Sequence, residues 1–124
     1  MPDPFASLVH EKFVCLTTYR RNGAAVPTPM WFVPGDGVLY MRTDERSGKA
    51  KRIRLNGRAA VAPSDFRGRP TGRHIECEAR LVPAAEMPFV DEGIKKKYGF
   101  MKKLVDLRSR LTGVRITCIE IRPA

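Results

Sequence analysis

The chain has 124 residues, of which 43% are hydrophobic and 29% charged, so it is typical of one folded domain over residues 1–124 and not of a disordered protein. No apolar run approaches the roughly 20 residues that span a bilayer, and the first residues do not read as a secretory signal. Three scattered cysteines favour reduced thiols, so we expect a cytoplasmic protein. The net charge of +10 favours a polyanionic partner: nucleic acid, anionic lipid or a small ligand with several phosphates or carboxylates.

Strands and tight turns dominate the first 43 residues. A short helix is predicted over Phe5 to Val9, and Asn22-Gly23 is a strong hairpin signal because both residues accept a positive φ. Pro27 and Pro29 lie inside the second strand, and each removes a ladder donor, which indicates an edge or bulged strand. The predicted strands of this half cover residues 13–19, 25–33 and 38–43.

Helices interrupt the strands in the second half. Residues 44–56 are basic and mostly good helix formers, with Gly57 as the predicted helix stop. Residues 84–110 are predicted to form a longer helical stretch broken near Gly99. The longer stretch carries a stripe of Phe100, Leu104, Leu107 and Leu111, which we expect to pack on the barrel or on a partner subunit in preference to a membrane surface. Strands are predicted over residues 58–63, 75–82 and 115–122. The fold class is therefore mainly β, a six-stranded antiparallel barrel with inserted helices.

The start of the basic helix has the chemistry of a phosphate site. A strand ends at Thr43, and the helix begins near Ser47, where free backbone N–H groups and a partial positive charge suit an anion. Ser47 offers a hydroxyl, Gly48 permits close approach of the backbone, and Lys49 adds a point charge. A solvated basic helix with no ligand is the alternative. Neither GxxxxGK[ST] nor GxGxxG occurs, so the common nucleotide motifs are not supported.

Four segments together resemble a known family. LTTYRRNG is followed by PTPMWF, then by SGKAKRIR, then by VAPSDFRGRPTG, and the closing helix and strand match as well. The chain is similar over nearly its whole length to the pyridoxamine 5'-phosphate oxidase-like, probable F420-dependent enzymes of the split-barrel superfamily. The resemblance implies a six-stranded, FMN-binding-like split β-barrel that forms a homodimer, with a cofactor in each groove between subunits.

The resemblance also implies which residues hold the cofactor. Those matching Ser47 and Lys49 hold its phosphate, with Lys51 nearby. Gly48 and Thr43 join this candidate site from the interpretation of the helix start given above. The strand residues that lie along the flavin or deazaflavin ring are Thr28, Pro29, Met30 and Trp31. The phosphodiester and oligoglutamate tail of F420 give a basic groove a physical target. FMN and FAD remain alternatives, because each also presents a phosphate and a flat tricycle.

The function implied is an oxidoreductase that moves a hydride between reduced F420 and a small conjugated substrate. A cofactor enzyme of this kind needs positioning more than a catalytic set, and no catalytic residue is assigned. His10 and His74 lack metal-ligand spacing, so no metal is expected. Two alternatives stay open: a flavin binder without turnover, and a basic barrel that binds nucleic acid through the basic helix, the arginine-rich loop of residues 65–72 and residues 95–97. The resemblance favours a small ligand over nucleic acid.

Overall fold

Seven strands form one curled antiparallel sheet in the computed structural model, which describes residues 3–124. The strand order is β2-β1-β5-β6-β7-β4-β3, so the sheet curls into a half-barrel with two open edges. The mainly β class with inserted helices is confirmed. The strands are β1 Val14–Tyr19, β2 Ala25–Met30, β3 Val33–Pro34, β4 Leu39–Asp44, β5 Arg58–Pro63, β6 Ile75–Pro83 and β7 Ile116–Pro123.

Three α-helices lie between strands, as the sequence predicts. Helix α1 (Gly48–Leu55) connects β4 to β5, whereas α2 (Pro88–Tyr98) and α3 (Phe100–Thr112) connect β6 to β7. The short N-terminal helix is a 3-10 turn at Ala6–Leu8, and a second 3-10 turn occupies Ala84–Glu86. No helix within residues 3–124 is both long and apolar enough to cross a membrane.

The concave side of the sheet encloses the main core. Alternate residues of each strand point to this side, because the side-chain period of a strand is two. The core side chains are almost completely buried, and they include Leu16, Phe32, Met41, Ile119 and Ile121. Burying each of them contributes about 1.5–3 kcal/mol of transfer free energy.

The number of strands differs from the six predicted, because the segment over residues 25–33 breaks into β2 and β3. The backbone N–H of Phe32 donates to the Tyr98 hydroxyl at 3.0 Å, and this hydroxyl donates to the carbonyl of Lys12 at 2.7 Å. The Trp31 ring stacks on the Tyr98 ring, with centroids 4.4 Å apart. The chain therefore stops pairing with β1 at Trp31. It then pairs with β4 as β3, which forms the opposite edge of the sheet.

We expect Tyr98→Phe to lower the free energy of unfolding by about 1 kcal/mol, because the N–H of Phe32 and the carbonyl of Lys12 lose their partner. Urea unfolding followed by circular dichroism measures the change. Tyr19→Phe is the matched control, since the Tyr19 hydroxyl forms no hydrogen bond within residues 3–124 and its ring keeps the contact with Arg58. Equal stability of the two variants would contradict the role given to Tyr98.

Strand β2 lies at an edge of the sheet, as its two prolines predict. In its register with β1, Pro27 faces Thr17 and Pro29 faces Cys15. The pairing continues over all six residues of β2 without a bulge. The prolines are therefore tolerated because β2 has a strand on one side only.

Helix α3 faces the barrel with its polar side, so its apolar stripe does not pack on the barrel, which was one of the two partners predicted for it. Packing of the stripe on a partner subunit stays a prediction. The stripe is exposed, at 70% for Phe100, 53% for Leu104, 57% for Leu107 and 80% for Leu111. Lys102 is the buried residue of the helix instead.

The physical reason is an ion-pair network that spans β4, α2 and α3. The Lys102 ammonium pairs with Asp106 and, at 3.3 Å, with Asp91. Arg42 binds the same two carboxylates, at 2.7 Å to Asp91 and 3.3 Å to Asp106. Gly99 permits the turn between the helices with φ +55, as the predicted break requires. The network fixes which face of α3 points inward.

Candidate functional site

A cleft of about 340 Å³ lies between the end of β2, β4 and the helices α2 and α3. It brings together part of the predicted ring strand and the hydroxyl residue that precedes the basic helix. The sequence-predicted residues that line it are Pro29, Met30, Trp31 and Thr43. Its other walls are largely apolar and include Ile94, Val105, Val114 and Ile116. Such a cleft suits a flat apolar group with polar contacts at one end.

Ser47 connects this cleft to the N-terminus of α1. Its hydroxyl lies 3.1 Å from the hydroxyl of Thr43, and it caps the helix by accepting from the N–H of Ala50 at 3.2 Å. The first turn of a helix leaves its other N–H groups without intrahelical acceptors, which here are those of Gly48 and Lys49. The hydroxyls of Thr43 and Ser47 therefore lie beside the free N–H groups of the first turn of α1.

A group of basic side chains lies beside this helix start. The Arg52 Nε donates to the buried Thr18 hydroxyl at 2.7 Å. Burial, together with the charge of Arg52, holds the pKa of Lys49 below its ordinary value. Burial and the charge of Arg20 lower the pKa of Arg52 in the same way. We call Arg20, Lys49 and Arg52 the cationic cluster.

The cationic cluster has no acidic partner in the part of the chain that the structure describes. None of its three residues forms an ion pair, although several other basic residues of this chain do. Lys49 and Arg52 are partly buried, whereas Arg20 is exposed. A partly buried positive charge that lacks a counter-ion disfavours its own charged form. An anion bound at this point would remove that penalty, which makes the cluster a candidate phosphate or carboxylate site.

Gly48 has a steric role in the cluster. A Cβ at this position would lie 2.8 Å from Nη1 of Arg52, so any larger residue would push the guanidinium away from the helix start. The absence of a side chain therefore lets Arg52 lie over the first turn. The close approach of a phosphate to the backbone of Gly48 stays a prediction.

Two predicted residues, Thr28 and Lys51, lie outside both the cleft and the group gathered at the start of α1. Lys51 is exposed, and residues two apart on a helix do not face each other, so it lies away from Lys49. The hydroxyl of Thr28 donates to the carbonyl of Leu16 at 3.3 Å. By the register of β1 and β2, Thr28 shares a sheet face with Thr18, the residue to which Arg52 is bonded.

Sequence reasoning left two residues of the site without a specific role. Arg52 received no role there, although its spacing of three from Lys49 on a helix indicates a shared face. Arg42 lines the cleft, where Asp91 and Asp106 hold its guanidinium. No local signal identifies Arg42, because both of its partners lie more than forty residues further along the chain.

The curled antiparallel sheet with helices inserted between β4 and β5 and between β6 and β7 defines a split β-barrel protein. Within that superfamily the chain belongs to the pyridoxamine 5'-phosphate oxidase family, whose model matches residues 3–121. The resemblance found in the sequence is thereby confirmed. No curated protein sequence matches the chain.

Solved structures of several proteins share the fold. An F420 reductase is 22% identical with a TM-score of 0.64, covering 100% of this chain and 96% of its own. The heme storage protein HutZ from Vibrio cholerae is 13% identical with a TM-score of 0.70, covering 93% of this chain and 83% of its own. An FAD-binding protein from Mesorhizobium loti is 13% identical with a TM-score of 0.62, covering 94% and 82%. At these identities the likeness shows the fold alone.

Proposed function

We propose that this protein is an F420-dependent oxidoreductase that transfers a hydride between reduced F420 and a small conjugated substrate. The observation that carries the proposal is the cationic cluster at the start of α1, which has no carboxylate partner among residues 3–124. Through Ser47 and Thr43 the cluster adjoins an apolar cleft lined by Met30 and Trp31. These two neighbouring surfaces would bind a ligand that has a strongly anionic tail at one end and a flat ring at the other.

The residues present fit F420. Its phosphodiester would be held by the hydroxyl of Ser47, the N–H groups of Gly48 and Lys49, and the Lys49 ammonium, with Arg52 adding charge. The exposed Lys51 would meet the glutamate tail in solvent. The ring would lie against Pro29, Met30 and Trp31, and the cleft volume of about 340 Å³ is within the usual range of roughly 300–1,000 Å³ for cofactor sites.

The chain's own contribution would be binding, orientation and exclusion of water. F420 supplies the hydride chemistry when bound, and the substrate takes up a proton besides the hydride. Pro29, Met30 and Trp31 form one wall of the cleft, and the stacking on Tyr98 fixes the Trp31 ring. Apolar walls keep water from the ring face, and a fixed ring orientation lowers the entropy cost of reaching the reactive geometry. No side chain is assigned as an acid or base.

The proposal includes a homodimer with the cofactor in the groove between the subunits, which the family membership supports. It also includes a cytoplasmic location. Cys15, Cys77 and Cys118 are free and buried, which suits a reducing compartment. Size-exclusion chromatography with light scattering would test the dimer on the purified protein.

FMN or FAD is the second candidate cofactor. The existence of an FAD-binding protein with the same fold supports this alternative. The cationic cluster would accept the phosphate of either flavin, and the cleft would accept the isoalloxazine ring. With either flavin the same residues would keep their binding roles. The flavin would then exchange electrons with the substrate in place of F420. A protein that binds the flavin without turnover is one form of this alternative.

The test is a titration of the cofactor-free protein with F420, FMN and FAD, followed by ring fluorescence at moderate salt. We expect F420 to bind at least about tenfold more tightly than the flavins, because its tail adds charges that the basic surface attracts. Tighter binding of FMN or FAD would replace F420 with a flavin. Binding of none of the three would contradict the proposal, and binding to nucleic acid would be measured next.

A further inference from the structure

Helix α3 presents an unbroken apolar row to solvent. We call Phe100, Leu104, Leu107 and Leu111 the outer row; all four are more than half exposed. Their spacing places them on one side of the helix, and residues 100–111 span about 16 Å along its axis. The row lies opposite the buried Lys102 and the half-buried Asp106 and Ser109. An apolar patch of this kind on a folded protein marks a surface that binds something.

The helix cannot bury the outer row by rolling onto its own barrel. Rolling would pull Lys102 and Asp106 away from their partners Arg42 and Asp91, and it would leave buried charges unpaired. The observed orientation is therefore fixed by ion pairs at the inner side of α3. The outer row must be covered by something other than this chain.

Basic residues flank the outer row on both sides. Lys103 and Arg110 lie on one flank of the helix, and Arg108 lies on the other. All three are exposed, and none forms an ion pair within residues 3–124. The neighbouring end of α2 adds the exposed Lys95 and Lys96. An apolar centre between basic flanks is the pattern of a helix that lies in the surface of an anionic membrane.

We propose that α3 docks this protein on the surface of an anionic lipid bilayer. The outer row enters the boundary between headgroups and acyl chains, and the flanking lysine and arginine side chains contact the lipid phosphates. The net charge of +10 attracts the whole chain to such a surface. The candidate cofactor cleft would lie on the side of α3 that faces away from the bilayer, since Val105 and Ser109, opposite the outer row, line it.

A second copy of this chain is the other occupant to consider. Two α3 helices paired through their outer rows would bring Lys103, Arg108 and Arg110 of one copy against the same residues of the other. Like charges at that distance repel, and the outer row is flanked by no acidic residue of α3 that could offset them. Charge complementarity therefore favours the anionic bilayer.

Co-sedimentation of the full chain with lipid vesicles tests the proposal. We expect binding to phosphatidylcholine vesicles that contain phosphatidylglycerol, and much weaker binding to phosphatidylcholine alone. The double variant Leu104→Gln/Leu107→Gln should lose about tenfold or more in partitioning, because two inserted apolar side chains become polar. Leu55→Gln, at an exposed leucine of α1, is the matched control and should bind like the original protein.

A second variant tests the charges separately. Lys103→Glu/Arg110→Glu should weaken binding to the anionic vesicles and reduce its dependence on salt. Light scattering should give all variants the same mass as the original protein. The proposal is overturned if the original protein does not bind anionic vesicles. It is also overturned if Leu104→Gln/Leu107→Gln lowers the mass in solution, which would assign the outer row to a second copy.

Discussion

Replacing Lys49 with Gln should weaken the binding of F420 by about 30-fold. The Lys49 ammonium is partly buried beside Arg52, so it contributes a charge-assisted contact in a poorly hydrated place. Hydrogen bonds to charged groups contribute about 1.5–3 kcal/mol, and a 30-fold loss corresponds to about 2 kcal/mol. Fluorescence titration of the purified variant gives the dissociation constant directly.

Lys51→Gln is the matched control for Lys49→Gln. Lys51 belongs to the same helix but is exposed, so its charge is screened by water and salt. We expect less than about a threefold loss, since an exposed charge contributes under about 1 kcal/mol. Equal losses in the two variants would support a solvated basic helix and argue against a phosphate site at the start of α1.

Replacing Asp106 with Ala should lower the free energy of unfolding by about 2–3 kcal/mol. Lys102 and Arg42 would then share only the half-exposed carboxylate of Asp91. Removing one partner of a buried pair leaves an uncompensated charge, which costs about 3–5 kcal/mol when burial is complete and less here. Urea unfolding measures the loss, and hydrogen exchange should show faster opening of α3 than of the strands.

Two comparisons test this role of Asp106. Glu92→Ala removes an exposed carboxylate of α2 that forms no ion pair within residues 3–124, and it should change stability by less than about 0.5 kcal/mol.

The second comparison is the pH dependence of stability. Burial raises the pKa of Asp106, but its bonds to Lys102 and the charge of Arg42 outweigh this and hold the pKa below its ordinary value.

A lowered folded-state pKa gives stability that is present above the unfolded pKa of about 3.9 and is lost as the pH falls further. The difference in the free energy of unfolding between the original protein and Asp106→Ala should therefore become smaller below about pH 4. If this difference in the free energy of unfolding stayed constant from pH 7 to pH 3, the charge of the Asp106 carboxylate would not be the cause of the lost stability.

Local signals in the sequence predicted most of the fold. Asn22-Gly23 predicted the first hairpin, and Gly23 adopts φ +88 in it. Strand β5 covers Arg58–Pro63 as predicted, because a run of small β-compatible residues is bounded by Gly57 and a loop. Ser47 was predicted near the start of the basic helix and is its N-cap. In each case a few neighbouring residues decide the backbone conformation.

Contacts between distant residues account for what the sequence did not show. The break at Trp31 depends on the ring and hydroxyl of Tyr98, which lies 66 residues from its partner Phe32. The inward face of α3 depends on Arg42 and Asp91, which compete with an apolar stripe that reads as buried from periodicity alone. In the candidate site, Lys49 was found from its type and position, whereas Arg42 could be found only once its carboxylate partners were placed in space.

The two prolines of β2 bear on the behaviour of many copies of the chain together. Pro27 and Pro29 are two residues apart, so their nitrogens point to the same side of the strand, and the intact register with β1 makes this the open edge. A prolyl nitrogen has no hydrogen, so two successive donors are missing from the edge that a foreign strand would have to join. A half-barrel with an open edge is thereby protected against strand-by-strand aggregation on that side, and replacing both prolines would expose the concentrated protein to it.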